Sequence, residues 1–145
     1  MFAKQLTVFI ENRSGRLSEV LGVLGENGVN IISMSLADTT EFGLLRLIVD
    51  DAPLGKQKLT ENGFSSLLSD VFIIKIPHKV GSLQSLLETI DENGINIEYM
   101  YGLSIENDEA YVVLKTSETD KVDALLASMG ITTVTGEHLY RESNS

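Results

Sequence analysis

Two glycines, Gly15 and Gly81, each sit just ahead of a segment whose apolar residues recur at helical spacing. A helix start carries backbone N–H groups without intrahelical partners and the positive end of the helix dipole. A carboxylate is stabilised at such a place. Glycine has no Cβ, so a ligand approaches the backbone closely there. Arg13, Arg16 and Lys79 stand beside these glycines and add positive charge that suits a carboxylate. The side-chain oxygen of Asn12 is placed to accept from an ammonium. The plainer role of a glycine between strand and helix is backbone geometry alone.

Other chemistry finds little support. His78 and His138 are the two histidines, with no pair at helical metal spacing. There are no cysteines, which removes disulfides and thiolate metal sites. Asp50, Asp51, Glu106, Asp108 and Glu109 fall in expected turns as solvated charge, without EF-hand spacing. No catalytic triad, phosphate loop or dinucleotide fingerprint is present, so no catalytic residue, metal or cofactor is expected. The 145 residues carry a net charge of −10, with 6 basic against 9 acidic in the first seventy and 5 against 12 thereafter. Nucleic acid and anionic membrane surfaces need clustered Lys and Arg, which argues against both as partners. The first residues lack a signal-peptide core and no apolar stretch is long enough to span a bilayer; a cytoplasmic protein is the expectation.

The elements that must position the glycines are duplicated. Shifted by 66 residues, the stretches 15–31 and 81–97 share 8 identities in 17 positions without a gap. In each copy a strand (residues 6–10, 71–76) leads through a loop (11–14, 77–80) into an amphipathic helix. Leu17, Val20, Leu21 and Leu24 share one helical face, and Leu83, Leu86, Leu87 and Ile90 repeat it. Asn27-Gly28 and Asn93-Gly94 end the two helices as left-handed caps. Second strands are expected at 29–37 and 95–103, third strands at 44–49 and 110–115. Second helices follow at 53–62 and 118–129, with Pro53 suited to a first turn, and fourth strands at 64–69 and 131–137. Residues 64–76 read equally as one long strand or two. The pattern is βαββαβ twice, an α+β architecture of two ferredoxin-like units, each a four-stranded antiparallel sheet with two helices on one face. The units span residues 1–69 and 70–140, leaving 141–145 as a frayed tail. Residues 44–49 and 72–76 are apolar on both faces except at Arg46 and Lys75, so something must cover the second face.

The strand–loop–glycine–helix element followed by Asn-Gly-Val/Ile-Asn-Ile resembles the ACT domain, a small module appended to amino-acid biosynthetic enzymes. The resemblance covers nearly the whole chain twice, in the arrangement of stand-alone tandem ACT proteins. It implies a non-catalytic regulatory role, with a free L-amino acid bound at the first loop and helix start near an ACT–ACT interface. Carried over by position, the ligand residues are Asn12, Arg13, Ser14, Gly15, Arg16 and Leu17, then His78, Lys79, Val80, Gly81, Ser82 and Leu83. Asn30, Ile31, Asn96 and Ile97 open the adjacent strand and would line the same region, or Asn30 and Asn96 bond local backbone. An acidic residue and a proline often precede the glycine in that family; Asn12 and Ser14, then His78 and Val80, replace them.

The expected partners are an amino acid, a second copy of the chain in a homodimer, and a metabolic enzyme regulated in trans. Two other readings stand beside this one: a dimerising interaction module without ligand, and a small acyl-phosphate hydrolase using Arg13 and Asn12. Tyr99, Met100 and Tyr101, which replace Ser33, Met34 and Ser35, are expected to pack in a core or interface, or else to shape one pocket.

Overall fold

The structure, a computed structural model, describes residues 2–11, 14–38 and 42–143. Its elements run β1 (Ala3–Glu11), α1 (Arg16–Glu26), β2 (Ile31–Asp38), β3 (Phe42–Val49), α2 (Ala52–Glu61) and β4 (Ser65–Pro77). They continue α3 (Ser82–Glu92), β5 (Ile97–Glu106), β6 (Glu109–Thr116), α4 (Thr119–Ser128), β7 (Thr132–Val134) and α5 (Gly136–Ser143). Two compact units result. The N-terminal unit holds Lys4–Asp70 and the chain from Gly136; the C-terminal unit holds Phe2, Ala3 and Val71–Thr135.

Each unit is the expected sheet with two helices on one face. The N-terminal order is β2-β3-β1-β4, and the C-terminal order is β5-β6-β4-β7. In the first, Leu6 lies opposite Leu47 and Val8 opposite Leu45. These residues meet Val20 and Leu24 of α1, Leu59 of α2 and Phe64 in one core. In the second, Phe72 lies opposite Leu114 and Ile74 opposite Val112, and they meet Leu86, Ile90, Val122 and Leu126. Each such side chain contributes about 1.5–3 kcal/mol relative to leaving it in water.

The helix ends explain the repeated Asn-Gly. After α1 the Val29 N–H donates to the Leu24 carbonyl at 2.9 Å and the Gly28 N–H to Gly25 at 3.2 Å. After α3 the Ile95 N–H donates to Ile90 at 3.3 Å and the Gly94 N–H to Asp91 at 2.9 Å. This pairing satisfies the last carbonyls and drops an apolar residue onto the core. Asn27 and Asn93 add a side-chain amide to the carbonyl four residues back, each at 2.8 Å.

Several expectations are corrected. The stretch left open as one strand or two is one, β4 (Ser65–Pro77), whose first half belongs to one unit and whose second half belongs to the other. The last strand is three residues long rather than the span 131–137. Of the tail expected to fray, residues 144 and 145 lie outside the described residues and 141–143 belong to α5, which is helical to Ser143. It packs on β2 and β3 of the N-terminal unit. Gly136 makes this return possible, because a Cβ there would stand 2.6 Å from the Val49 carbonyl oxygen and 3.3 Å from Ile48. Ile48, on the sheet face away from α1 and α2, is fully buried, as are Ile73 and Val113. The second faces of these strands are therefore covered. Tyr99 and Tyr101 stack with ring centroids 6.4 Å apart. A bulge between Ile97 and Tyr99 sets them opposite the core-facing Ile97 and Met100.

Replacing Gly136 with Ala is expected to cost about 1–3 kcal/mol in urea unfolding, because the intruding methyl meets backbone that cannot yield. Gly22, inside α1 with open space at its Cβ position, is the converse: Gly22→Ala should gain about 0.5–1 kcal/mol in the same measurement.

Candidate functional site

Each strand-to-helix turn ends on a glycine in the left-handed region. Gly15 has φ 87° and ψ −11°, and Gly81 has φ 90° and ψ −13°. Other residues adopt this conformation only at a cost. A glycine in the cap position brings no side chain, and neither α1 nor α3 has a side-chain cap. The space a Cβ would occupy is open at both. The helix mouths are thus uncapped and approachable, the condition the sequence suggested for an incoming carboxylate.

In the C-terminal unit the turn opens onto a cleft of about 870 Å³. Lys79, Val80, Gly81 and Ser82 form one wall, with Ser85 and Leu86 of α3 behind them. The hairpin tip at Asn107 and Asp108 forms another, and residues 129–132, between α4 and β7, a third. Asn107 and Asp108 both have positive φ, 50° and 63°, as a tight two-residue hairpin requires. The Asp108 carbonyl accepts from the His78 N–H at 2.7 Å, tying the loop to the hairpin. Two charged side chains also line the cleft: Lys75 Nζ lies 3.1 Å from Glu109 Oε2.

The N-terminal unit has a cleft of about 400 Å³ at the same place in the fold, lined by Phe9, Ile10, Glu11, Arg16, Phe42, Gly63, Phe64 and Ser65. Arg16 lies over the Phe64 ring at 4.4 Å, a favourable cation–aromatic arrangement. Its Nη1 donates to Glu19 Oε2 at 2.6 Å. Phe9 and Phe42 meet edge to face at 5.9 Å.

The structure gathers some of the expected ligand residues and separates others. Asn12 and Arg13 lie outside the described residues. Ser14 is an exposed turn residue, and Leu17 packs against the N-terminal core. His78 is exposed and joins its neighbours through its backbone; Leu83 is exposed on α3. Ile31 and Ile97 pack on their cores. Asn30 and Asn96 stand outside both clefts and anchor backbone. The Asn30 N–H donates to Asp50 Oδ1 at 2.8 Å, and its carbonyl accepts from the Asp50 N–H at 3.1 Å. The Asn96 N–H donates to Glu118 Oε2 at 3.2 Å, and its carbonyl accepts from Thr116 Oγ1 at 2.8 Å. Lys75 and Glu109 are cleft residues that spacing along the chain does not reveal. They come together diagonally across the β4–β6 ladder, where Lys75 lies opposite Tyr111 and Glu109 opposite Pro77. The available signal was the 66-residue repeat carried back into the first strand, which sets Lys75 against Phe9.

Among the described residues, no group of three or more His, Cys, Asp or Glu is arranged to hold a metal ion. No helix among them is long and apolar enough to cross a membrane.

Comparison with known proteins places these features in a family. The model of the ACT domain pair matches residues 1–141. The crystal structure of protein BT0572 from Bacteroides thetaiotaomicron is 36% identical, covers 97% of this chain and 96% of its own, and superposes with a TM-score of 0.90. The small subunit of acetolactate synthase isozyme 3 from Salmonella typhimurium is 29% identical over 137 residues, 86% of this chain and 82% of that protein. The regulatory subunit of aspartate kinase from Thermus thermophilus shares the fold, with a TM-score of 0.58 at 17% identity over 82% of this chain and 86% of its own.

Glu118 supplies a pH signature for the Asn96 anchor. Hydrogen bonding from Lys121, then from the Asn96 N–H, holds its carboxyl below the ordinary value of 4.5. A group depressed in the folded state stabilises the fold above its unfolded pKa and loses that contribution as pH falls through the folded pKa. The Tm difference between wild type and Glu118→Gln should therefore be constant near neutrality and shrink as pH falls through and below the ordinary value of 4.5. A difference independent of pH would show that the carboxylate charge does not matter.

Proposed function

This chain belongs to the ACT domain pair family, and we propose that it is a non-catalytic regulatory module that binds a free L-amino acid at an uncapped, glycine-led helix start. The observation that carries this reading is the turn at Gly81 opening onto the large C-terminal cleft, with Lys75 and Glu109 beside it. A carboxylate fits the helix mouth and the lysine, and an ammonium fits the glutamate or the hairpin-tip oxygens. The same turn at Gly15 supports a duplicated origin for the site.

The likeness to a small subunit of acetolactate synthase supports action in trans. The partner is a metabolic enzyme in the cytoplasm, whose activity responds to ligand because the amino acid favours one arrangement of the ACT units over another. A second copy of the chain is the further partner. Met34 and Leu36 on β2, at one end of the N-terminal strand order, are exposed and apolar. An edge strand of this kind is a ready template for association. Light scattering should return twice the 15.9 kDa chain mass, and Leu36→Lys should shift it towards the single chain.

A thermal-shift panel against the twenty L-amino acids tests the ligand directly. At about 100-fold excess over Kd a bound ligand stabilises by about 2.7 kcal/mol, a shift of several degrees. One amino acid, or a chemically related few, should raise Tm. No shift with any of them at millimolar concentration would contradict the reading.

A further inference from the structure

We propose that the two clefts have diverged, and that only the C-terminal one takes the zwitterionic head group of an amino acid, held between Lys75 and Glu109. The inference rests on the reading above and assigns its ligand to one repeat.

The described strands beside the two clefts match position for position. Phe9 and Lys75 are 66 residues apart on matching strands. Phe42 lies opposite Glu11 in one ladder, and Glu109 lies opposite Pro77 in the other. At one matched pair of positions, the N-terminal unit has two phenylalanines in edge-to-face contact at 5.9 Å. The C-terminal unit has a cation and an anion at 3.1 Å.

That exchange decides what each cleft can hold. The Lys75 and Glu109 side chains are 33% and 41% exposed, so water and solutes reach both. A half-exposed pair of this kind is weakly held. A zwitterion offers the complementary charges and replaces one pair with two, its carboxylate on Lys75 and its ammonium on Glu109. Among the described residues the N-terminal cleft has Glu11 and Arg16 in its lining, with the two phenylalanines at the positions of the lysine and the glutamate. Its cation, Arg16, is already paired with Glu19 and stacked on Phe64. Arg16 Nε has essentially no accessible surface and no hydrogen-bond partner. A ligand in the cleft cannot reach it while the stack holds. One amino acid binds per chain.

Backbone amide NMR of the full chain tests this, with an equimolar mixture of the twenty L-amino acids added to about 10 mM each, enough to load a millimolar site. Shifts should appear at residues 79–85 and 107–109, and be absent at residues 14–19 and 63–65. Equivalent shifts in both sets would overturn the asymmetry while leaving amino-acid binding in place. Shifts confined to the first set would reverse the assignment and overturn it as well. Silence throughout would remove the amino-acid reading and this proposal together. Two variants then examine the charge pair. Lys75→Met with Glu109→Gln should weaken the response by about tenfold or more, whereas Lys75→Arg should retain it. Unchanged binding in the double variant, with the rest of its spectrum native, would overturn the role of the pair.

Discussion

A helix that begins directly after a left-handed glycine begins without a side chain to satisfy its first turn. Gly15 and Gly81 impose this on α1 and α3, and most of the functional reading follows from it. The positive φ turns the chain sharply out of the sheet, which sets the first helical turn beside the loop and, in the C-terminal unit, beside the hairpin tip. The missing side-chain cap leaves the positive dipole end of α3 beside the cleft, with the Ser82 N–H turned back to the Lys79 carbonyl at 3.2 Å. A left-handed φ at the cap position disfavours the Ser or Asp that commonly caps a helix, because those residues take that conformation only at a cost. An uncapped start is not a general habit of the chain: Asp51, at the start of α2, does cap, accepting from the Leu54 N–H at 3.1 Å.

Duplication has preserved geometry more strictly than chemistry. The opening of the second strand is tethered at Asn30 by Asp50 alone, through backbone and side chain. At Asn96 the same two tethers come from Glu118 and Thr116. The bulge after Ile31 recurs after Ile97. What differs is the character of the side chains set on this common frame: phenylalanines and a stacked arginine in one cleft, a lysine and a glutamate in the other. Backbone constraints act on every copy of the fold, whereas a ligand constrains only the copy that binds it.

What was legible in the sequence was what is local. The apolar face of Leu17, Val20, Leu21 and Leu24, the Asn-Gly caps and the αL glycines each announce themselves within one or two helical turns, because capping and periodicity act over that range. The two-unit α+β architecture followed from repeating them. Less legible was anything set by partners distant in the chain. Residues 64–76 carry no breaker that distinguishes one strand from two. Residues 131–137 read as a strand until Val49 and Ile48 are seen to receive a helix start at Gly136. Lys75 and Glu109 are separated by a helix and a strand, and only the β4–β6 register joins them. Asn30 and Asn96 were placed near the ligand by family likeness; the bonds that hold them are made by backbone groups, which any residue but proline supplies.

The central claim is that a glycine-led helix mouth with an adjacent charge pair grips an amino acid in the C-terminal repeat. A crystal structure of the chain grown with the amino acid that most raises its Tm tests this most directly. The account predicts ligand density in the C-terminal cleft, its carboxylate towards the start of α3 and Lys75 and its ammonium towards Glu109, with none beside Phe9 and Phe42. Density at the Gly15 mouth, or in a place touching neither glycine, would contradict it.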